Sequence, residues 1–192
     1  MIDFDLTLEN DDVLLCPLRK KDLDDFRKIV GDPLLWIYFT RDLSVKEELE
    51  QWVEESISQI KTKSRLAFTI TDKRQKRIAG STSFLNISGR DRRVEIGATW
   101  LGREFHGKGI NRAAKHLLMD YCFETCDFMR VESKTDVLNL WARNALQKVG
   151  MTEEGILRSH TLMTHNRRRD TLFYSMLKWE WAEQKEKQIK GK

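Results

Sequence analysis

The chain has 192 residues, 34 of them basic and 30 acidic, for a formal net charge of +4, and 40% are apolar, including six tryptophans and nine phenylalanines. That suffices for one ordinary domain with a substantial core and excludes a compositionally disordered chain. The mild basic excess is not the concentrated stripe of a nucleic-acid binder, no run is long and apolar enough to span a bilayer, and the start Met1-Ile2-Asp3-Phe4-Asp5 lacks the pattern of a secretory signal.

Residues 13–16, Val-Leu-Leu-Cys, predict a first strand. Residues 20–30 predict a helix with Leu23, Phe26, Ile29 and Val30 on one face, stopped by Gly31-Asp32-Pro33. Ser44-Val45-Lys46-Glu47 has the spacing of a capping box, opening a second helix that carries Leu49, Trp52, Val53, Ile57 and Ile60 at helical intervals. Residues 66–71, 78–87 and 94–101 form a predicted β-meander, with charged turns at 73–76 and 88–91. A helical stripe follows in Ile110, Ala113, Ala114, Leu117, Leu118, Tyr121 and Cys122, then a strand at 130–133 and a helix at 139–149 closed by Gly150. Strands at 156–161 and 171–177 flank a polar turn containing Arg167-Arg168-Arg169. Leu177, Trp179 and Trp181 are two residues apart, which is strand spacing. It extends the last strand to Trp181, with both tryptophans docked on the body or marking a homodimer interface. The expectation is a single domain over residues 1–192, with a charged tail from about residue 182.

The most informative stretch is His106-Gly107-Lys108-Gly109-Ile110-Asn111, between a strand and a helix. Two glycines let backbone approach a ligand closely. The first N–H groups of a helix have no partner within it, and the helix dipole adds partial positive charge there. Together these make an anion site, to which Lys108 and Arg112 add formal charge. The loop matches neither a Walker-type phosphate loop nor a dinucleotide GxGxxG. His106, His116, His160 and His165 are scattered and predict no metal. Cys16, Cys122 and Cys126 contain no CxxC pair and read as thiols in a reducing cytoplasm.

The element order, with this loop ahead of the third helix, resembles the GNAT fold of acetyl-CoA-dependent N-acetyltransferases, in particular the branch that includes the ribosomal-protein alanine N-acetyltransferases. The resemblance is carried by Glu95-Ile96-Gly97-Ala98-Thr99-Trp100-Leu101, the glycine loop, Arg130-Val131-Glu132, Asn139 followed by Ala145, Lys148 and Gly150, and the segments Glu154-Gly155-Ile156-Leu157-Arg158 and Arg169-Asp170-Thr171. It is dense from about residue 78 to 181. It implies an α/β (α+β) fold: a mixed, largely antiparallel twisted sheet with helices on both faces.

The resemblance also implies acetyl-CoA as cosubstrate, with an amine attacking the thioester directly. The acceptor would be a small molecule or a protein N-terminus. Backbone from Gly107 to Asn111, including Lys108, Gly109 and Ile110, would hold the pyrophosphate, with His106 and Arg112 beside it and Lys108 and Arg143 reaching for phosphates. Main-chain groups of Thr99, Trp100 and Leu101 would align the pantetheine arm and bind the thioester oxygen. Asn139 would hydrogen-bond near the sulfur, and Glu95 would act as base unless an arginine such as Arg93 or Arg130 holds it. Tyr121 and Tyr174 are reserve proton donors. Ala142 departs from the family's usual Ser, so the hydroxyl credited with helping the thiolate leave is missing. Trp36, Tyr38, Phe39 and Phe84 are candidates for the acceptor pocket, with ordinary core as the alternative. Two other readings stay open: an acetyl-CoA-binding sensor or interaction module of the same fold, and a ribosome- or RNA-associated protein using the basic turn.

Overall fold

The computed structural model describes residues 1–190, so the last two residues of the expected tail lie outside the described residues. Eight strands form one sheet: β1 (Leu8–Glu9), β2 (Val13–Pro17), β3 (Leu66–Asp72), β4 (Arg77–Ser88), β5 (Arg93–Leu101), β6 (Arg130–Asp136), β7 (Thr152–Leu162) and β8 (Arg168–Leu177). Their order is β1-β2-β3-β4-β5-β6-β8-β7. Every pairing is antiparallel except β5 with β6. Five α-helices accompany them: α1 (Leu23–Arg27), α2 (Lys46–Lys61), α3 (Ile110–Asp120), α4 (Leu140–Val149) and α5 (Lys178–Lys190). Among the described residues, no helix is long and apolar enough to cross a membrane.

The meander expected over 66–101 is present, and α3 makes the crossover that a parallel β5–β6 pair requires. Helices cover both faces, as expected. Trp100 on β5 packs on Phe26 of α1 and Trp52 of α2. On the opposite face of β4, Phe84 stacks on Tyr121, just past the end of α3. Successive side chains of a strand alternate between faces, so each strand of the meander feeds both halves of the core.

Four local expectations are corrected. The helix expected over 20–30 is a single turn at Lys20–Asp22 followed by the short α1. The capping box at Ser44 does not form. The Ser44 hydroxyl donates to Asp42 at 2.6 Å, and α2 starts beyond Val45. The last strand ends at Leu177, where the Glu180 carboxylate accepts the Leu177 N–H at 2.8 Å and the chain turns into α5. Trp181 is buried and its indole donates to Asp120 at 2.9 Å, whereas Trp179 is 56% exposed. Any interface role expected of the pair falls to Trp179 alone. Finally, Arg168 and Arg169 belong to β8 and only Thr164–Asn166 forms the turn. Arg167 is not a freely solvated turn residue. It pairs with the buried Asp136 at 2.5 Å, an acid 31 residues away that no local pattern reveals.

Candidate active site

β5 has two unlike neighbours. Against β4 it is paired from Arg93, opposite Ser88, to Leu101, opposite Gly80. Against β6 it is paired only at Arg93–Arg130, Val94–Val131 and Glu95–Glu132. Beyond that point the strands part. Ser133 spans the start of the gap, donating its hydroxyl to the Ile96 carbonyl at 2.7 Å. A cleft of about 400 Å³ opens there. β5 also bulges: Ser83 faces Gly97 but Ser81 faces Trp100, and Ala98 takes a φ of 48°. A bulge leaves one residue outside the ladder, which frees main-chain polar groups at the cleft wall.

The glycine loop follows β5 directly. His106 Nε2 lies 3.0 Å from the Leu101 carbonyl and ties the loop back to the strand end. Gly107 and Gly109 have φ of 74° and 83°, and nothing lies within 4 Å of where a Cβ would sit on either. Glycine is needed here for its backbone angle, and the space outside stays open. Among the described residues, the N–H groups from Gly107 through Lys108, Gly109, Ile110 and Asn111 to Arg112 donate no hydrogen bond. Six free donors at the head of an 11-residue helix are suited to a pyrophosphate-sized anion. The Lys108 ammonium sits 5.7 Å from the Phe105 ring centroid, and Arg112 is exposed.

Glu95, Thr99, Asn111 and Asn139 all line the cleft, together with Ala142. Glu95 is buried; its Oε2 accepts from Asn86 at 2.7 Å and pairs with Lys134 at 2.9 Å. The arginine partners considered from sequence, Arg93 and Arg130, are bound to Glu132 instead. Glu95 Oε1 points over Gly97, where an added Cβ would come within 2.8 Å of it. Asn139 caps α4, its Oδ1 accepting from Ala142 N–H at 3.0 Å, which leaves its amide nitrogen to donate. The Thr99 hydroxyl shares a hydrogen bond of 2.8 Å with Thr82.

Other expected site residues are placed elsewhere. The side chains of Trp100 and Leu101 are in the core, so only their main chain could serve a ligand. Arg143 donates to the Val137 carbonyl at 3.1 Å and stands 3.7 Å from Glu153; it ties α4 to β7 and does not line the cleft. Tyr121 accepts the Asp3 N–H at 3.0 Å, and burial pushes its phenol pKa up to about 12. Tyr174 is buried and donates to Glu153 at 3.1 Å. Of the four aromatic candidates, Tyr38 and Phe39 line the cleft, while Trp36 and Phe84 are core. Among the described residues, no group of three or more His, Cys, Asp or Glu could hold a metal ion.

Besides Lys134, which pairs with Glu95, two further cations in the cleft wall were not placed there by the sequence reading. Lys115, on α3 one turn beyond Asn111, is 4% exposed, with no hydrogen bond or ion pair to any described residue. Burial lowers its pKa to about 8, against a smaller opposing pull from Glu95. The signal was there: Lys115 interrupts the face that carries Leu118 and Cys122, where a charged residue is out of place. The second cation is Arg169, 9% exposed, on β8.

An open, mostly antiparallel sheet, split at one parallel pair and followed by an anion-receptive loop at a helix head, is the GNAT architecture. Residues 12–152 match the acetyltransferase (GNAT) domain, and the chain belongs to this family. Over 108 residues it is 36% identical to the "Putative ribosomal N-acetyltransferase YdaF" of Bacillus subtilis (strain 168), covering 56% of this chain and 58% of that relative. The chain therefore matches a little under three-fifths of that relative's length. A structure of a "putative acetyltransferase" from T. thermophilus superposes with a TM-score of 0.87 at 28% identity, covering 97% of each chain. A GCN5-related N-acetyltransferase from Brucella melitensis shares the fold with a TM-score of 0.85 at 24% identity, covering 93% of this chain and 81% of that one.

Proposed function

We propose that this protein moves the acetyl group of acetyl-CoA to a primary amine by direct attack. The observation that carries this reading is the continuity of two features. A loop with six unused N–H donors leads straight into the cleft where β5 and β6 part. The residues suit the cosubstrate: the loop is open where Cβ atoms would intrude, and its donors match a pyrophosphate.

In this reading the loop from Gly107 to Arg112 holds the diphosphate, with Lys108 and Arg112 adding charge. The bulge at Ala98–Thr99 supplies main-chain polar groups to the pantetheine arm and the thioester oxygen. The amine nitrogen bonds to the carbonyl carbon as the carbon–sulfur bond breaks, giving an N-acetyl amine and CoA thiol. An acceptor arriving as ammonium gives up one further proton, and Glu95 Oε1 takes it, directly or through water. The Asn139 amide donates near the sulfur. Lys115 supplies positive charge to the departing thiolate, where Ala142 offers no hydroxyl. Acetyl-CoA and amine are brought together in one desolvated cleft, which accounts for much of the acceleration in a direct transfer.

The acceptor is a small-molecule amine or a protein N-terminus. The test is thiol release from acetyl-CoA across a panel of amines and N-terminal peptides. Acceptor-dependent release supports transfer. Binding of acetyl-CoA with no release for any acceptor favours the second reading, an acetyl-CoA sensor, for which the missing hydroxyl at Ala142 is the specific observation.

A further inference from the structure

Glu95, Lys134 and Arg169 share one face of the sheet. Lys134 pairs with Glu95 across the gap and sits opposite Phe173, while Asp136 sits opposite Thr171. Two-residue alternation along β8 then puts Arg169 on the side of Thr171 and Phe173. Tyr38, Phe39, Thr40 and Leu85 line the same cleft. The Arg167 guanidinium also reaches the Ile37 carbonyl at 3.4 Å, which holds the 37–40 segment beside it.

The charges in this chamber do not balance. Glu95 is taken by Lys134, and Asp136 by Arg167. Arg169 hydrogen-bonds to neutral partners only: its Nε donates to Thr171 Oγ1 at 3.0 Å and its Nη2 to Thr161 Oγ1 at 3.4 Å, while Asp136 and Glu95, each already paired, act on it only from a distance. Among the described residues, no carboxylate lies within 4 Å of it, and its Nη1 has no partner. Lys115 adds another cation without an ion pair from the α3 side, so three cations, Lys115, Lys134 and Arg169, line the cleft against one carboxylate, Glu95. An arginine buried this deeply with no carboxylate bonded to it bears a desolvation cost, which the distant Asp136 and Glu95 offset only in part. Its planar fork is built to receive a carboxylate through two parallel N–H donors. The diphosphate of the cosubstrate does not fill this need, because its site is the loop at the head of α3.

We infer that the acceptor is an amine that also carries a carboxylate, and that Arg169 receives that carboxylate. It rests on the transferase reading above. The carboxylate belongs either to a free amino acid or to an acidic residue just behind a peptide N-terminus. Arg169 is then a specificity-determining residue: it fixes the acceptor so that the amine is presented at Glu95 and the thioester.

The test uses acceptors matched in all but the carboxylate. L-alanine is set against L-alaninamide, and the amidated peptide Ala-Glu-Ala-Ala against Ala-Gln-Ala-Ala. Thiol release gives kcat/KM for each. The N-acetylated product of each is also titrated calorimetrically, which reads the same site without turnover. In at least one pair the carboxylate member should be favoured about tenfold or more, as expected for a charge-assisted contact. The pair that discriminates identifies the source, free amino acid or peptide. Arg169→Gln should abolish the preference, and Arg169→Lys should retain only part of it, both with wild-type affinity for acetyl-CoA. Equal rates and equal product affinities within both pairs would overturn the inference while leaving acetyl transfer standing. Product discrimination without thiol release would support the carboxylate site and count against the transferase reading.

Discussion

Two buried regions on the same face of β5 are built on opposite terms. Under α1 and α2, Phe26, Trp36, Trp52 and Trp100 meet at centroid distances of 5.3 to 5.9 Å, mostly edge to face. This cluster carries no charged group; the Trp36 indole is satisfied by the Val30 carbonyl at 3.0 Å, and the neutral Trp100 indole N–H is buried without a partner. A few residues along the strand, the cleft buries Glu95, Lys115 and Arg169, and leaves the two cations without an anion of their own. The first region gains stability from aromatic contact. The second gives up stability by desolvating charge. Buried charges seldom go without a bonded counter-ion, so Lys115 and Arg169 point to the cleft as the place arranged for a ligand.

The contrast predicts that the two regions respond oppositely to mutation. Phe26→Ala should cost about 3–5 kcal/mol of stability in urea unfolding. The affinity of the still-folded protein for acetyl-CoA should stay close to wild type. A large loss of affinity would mean the cluster positions the loop.

Lys115→Met should do the reverse. Burial holds the Lys115 ammonium at about 8, below its ordinary 10.5, so the folded protein binds this proton less tightly than the unfolded chain. The resulting penalty is fully present below pH 8 and is relieved as pH rises from there toward 10.5. The variant should therefore be more stable than wild type at pH 7, by on the order of 3 kcal/mol. The margin should shrink steadily above pH 8, while kcat falls. A variant no more stable than wild type at pH 7 would show that the lysine is compensated in solution.

Gly109→Trp attacks the loop. A side chain at a φ of 83° strains the backbone and fills the open space. Acetyl-CoA affinity should drop by about 100-fold, or roughly 2.8 kcal/mol, in a protein whose circular dichroism is unchanged. Glu95→Gln should lower kcat about tenfold, with cosubstrate affinity nearly intact. Rates matching wild type across pH would remove Glu95 as the proton acceptor. The smallest effect belongs to Ala142→Ser, which should raise kcat a few-fold if thiolate departure is limiting. No change would show that Lys115 or water already fills that role.

Much of the frame was legible in the sequence because it rests on local signals. The meander, the crossover, the glycine loop and the Gly150 stop follow from periodicity and from positions where only glycine is comfortable. What was misread depends on partners far along the chain or on competition between near neighbours. Ser44 has capping spacing, but Asp42, two residues away, captures its hydroxyl. Leu177, Trp179 and Trp181 alternate like a strand, yet Glu180 caps a helix there and Asp120 receives the second indole. The arginine run read as a solvated turn, because its acid, Asp136, lies on β6. Of the site, the loop, Glu95 and Asn139 could be named from sequence, whereas the charge imbalance around Arg169 exists only once three strands are assembled.

The most direct test is calorimetric titration of acetyl-CoA into the wild-type protein and Gly109→Trp, with ATP and NAD as controls. The expected result is selective one-to-one binding of acetyl-CoA by the wild type and its loss in the variant. No binding by folded wild type, or equal binding by both proteins, would contradict the assignment of the loop and cleft as the acetyl-CoA site.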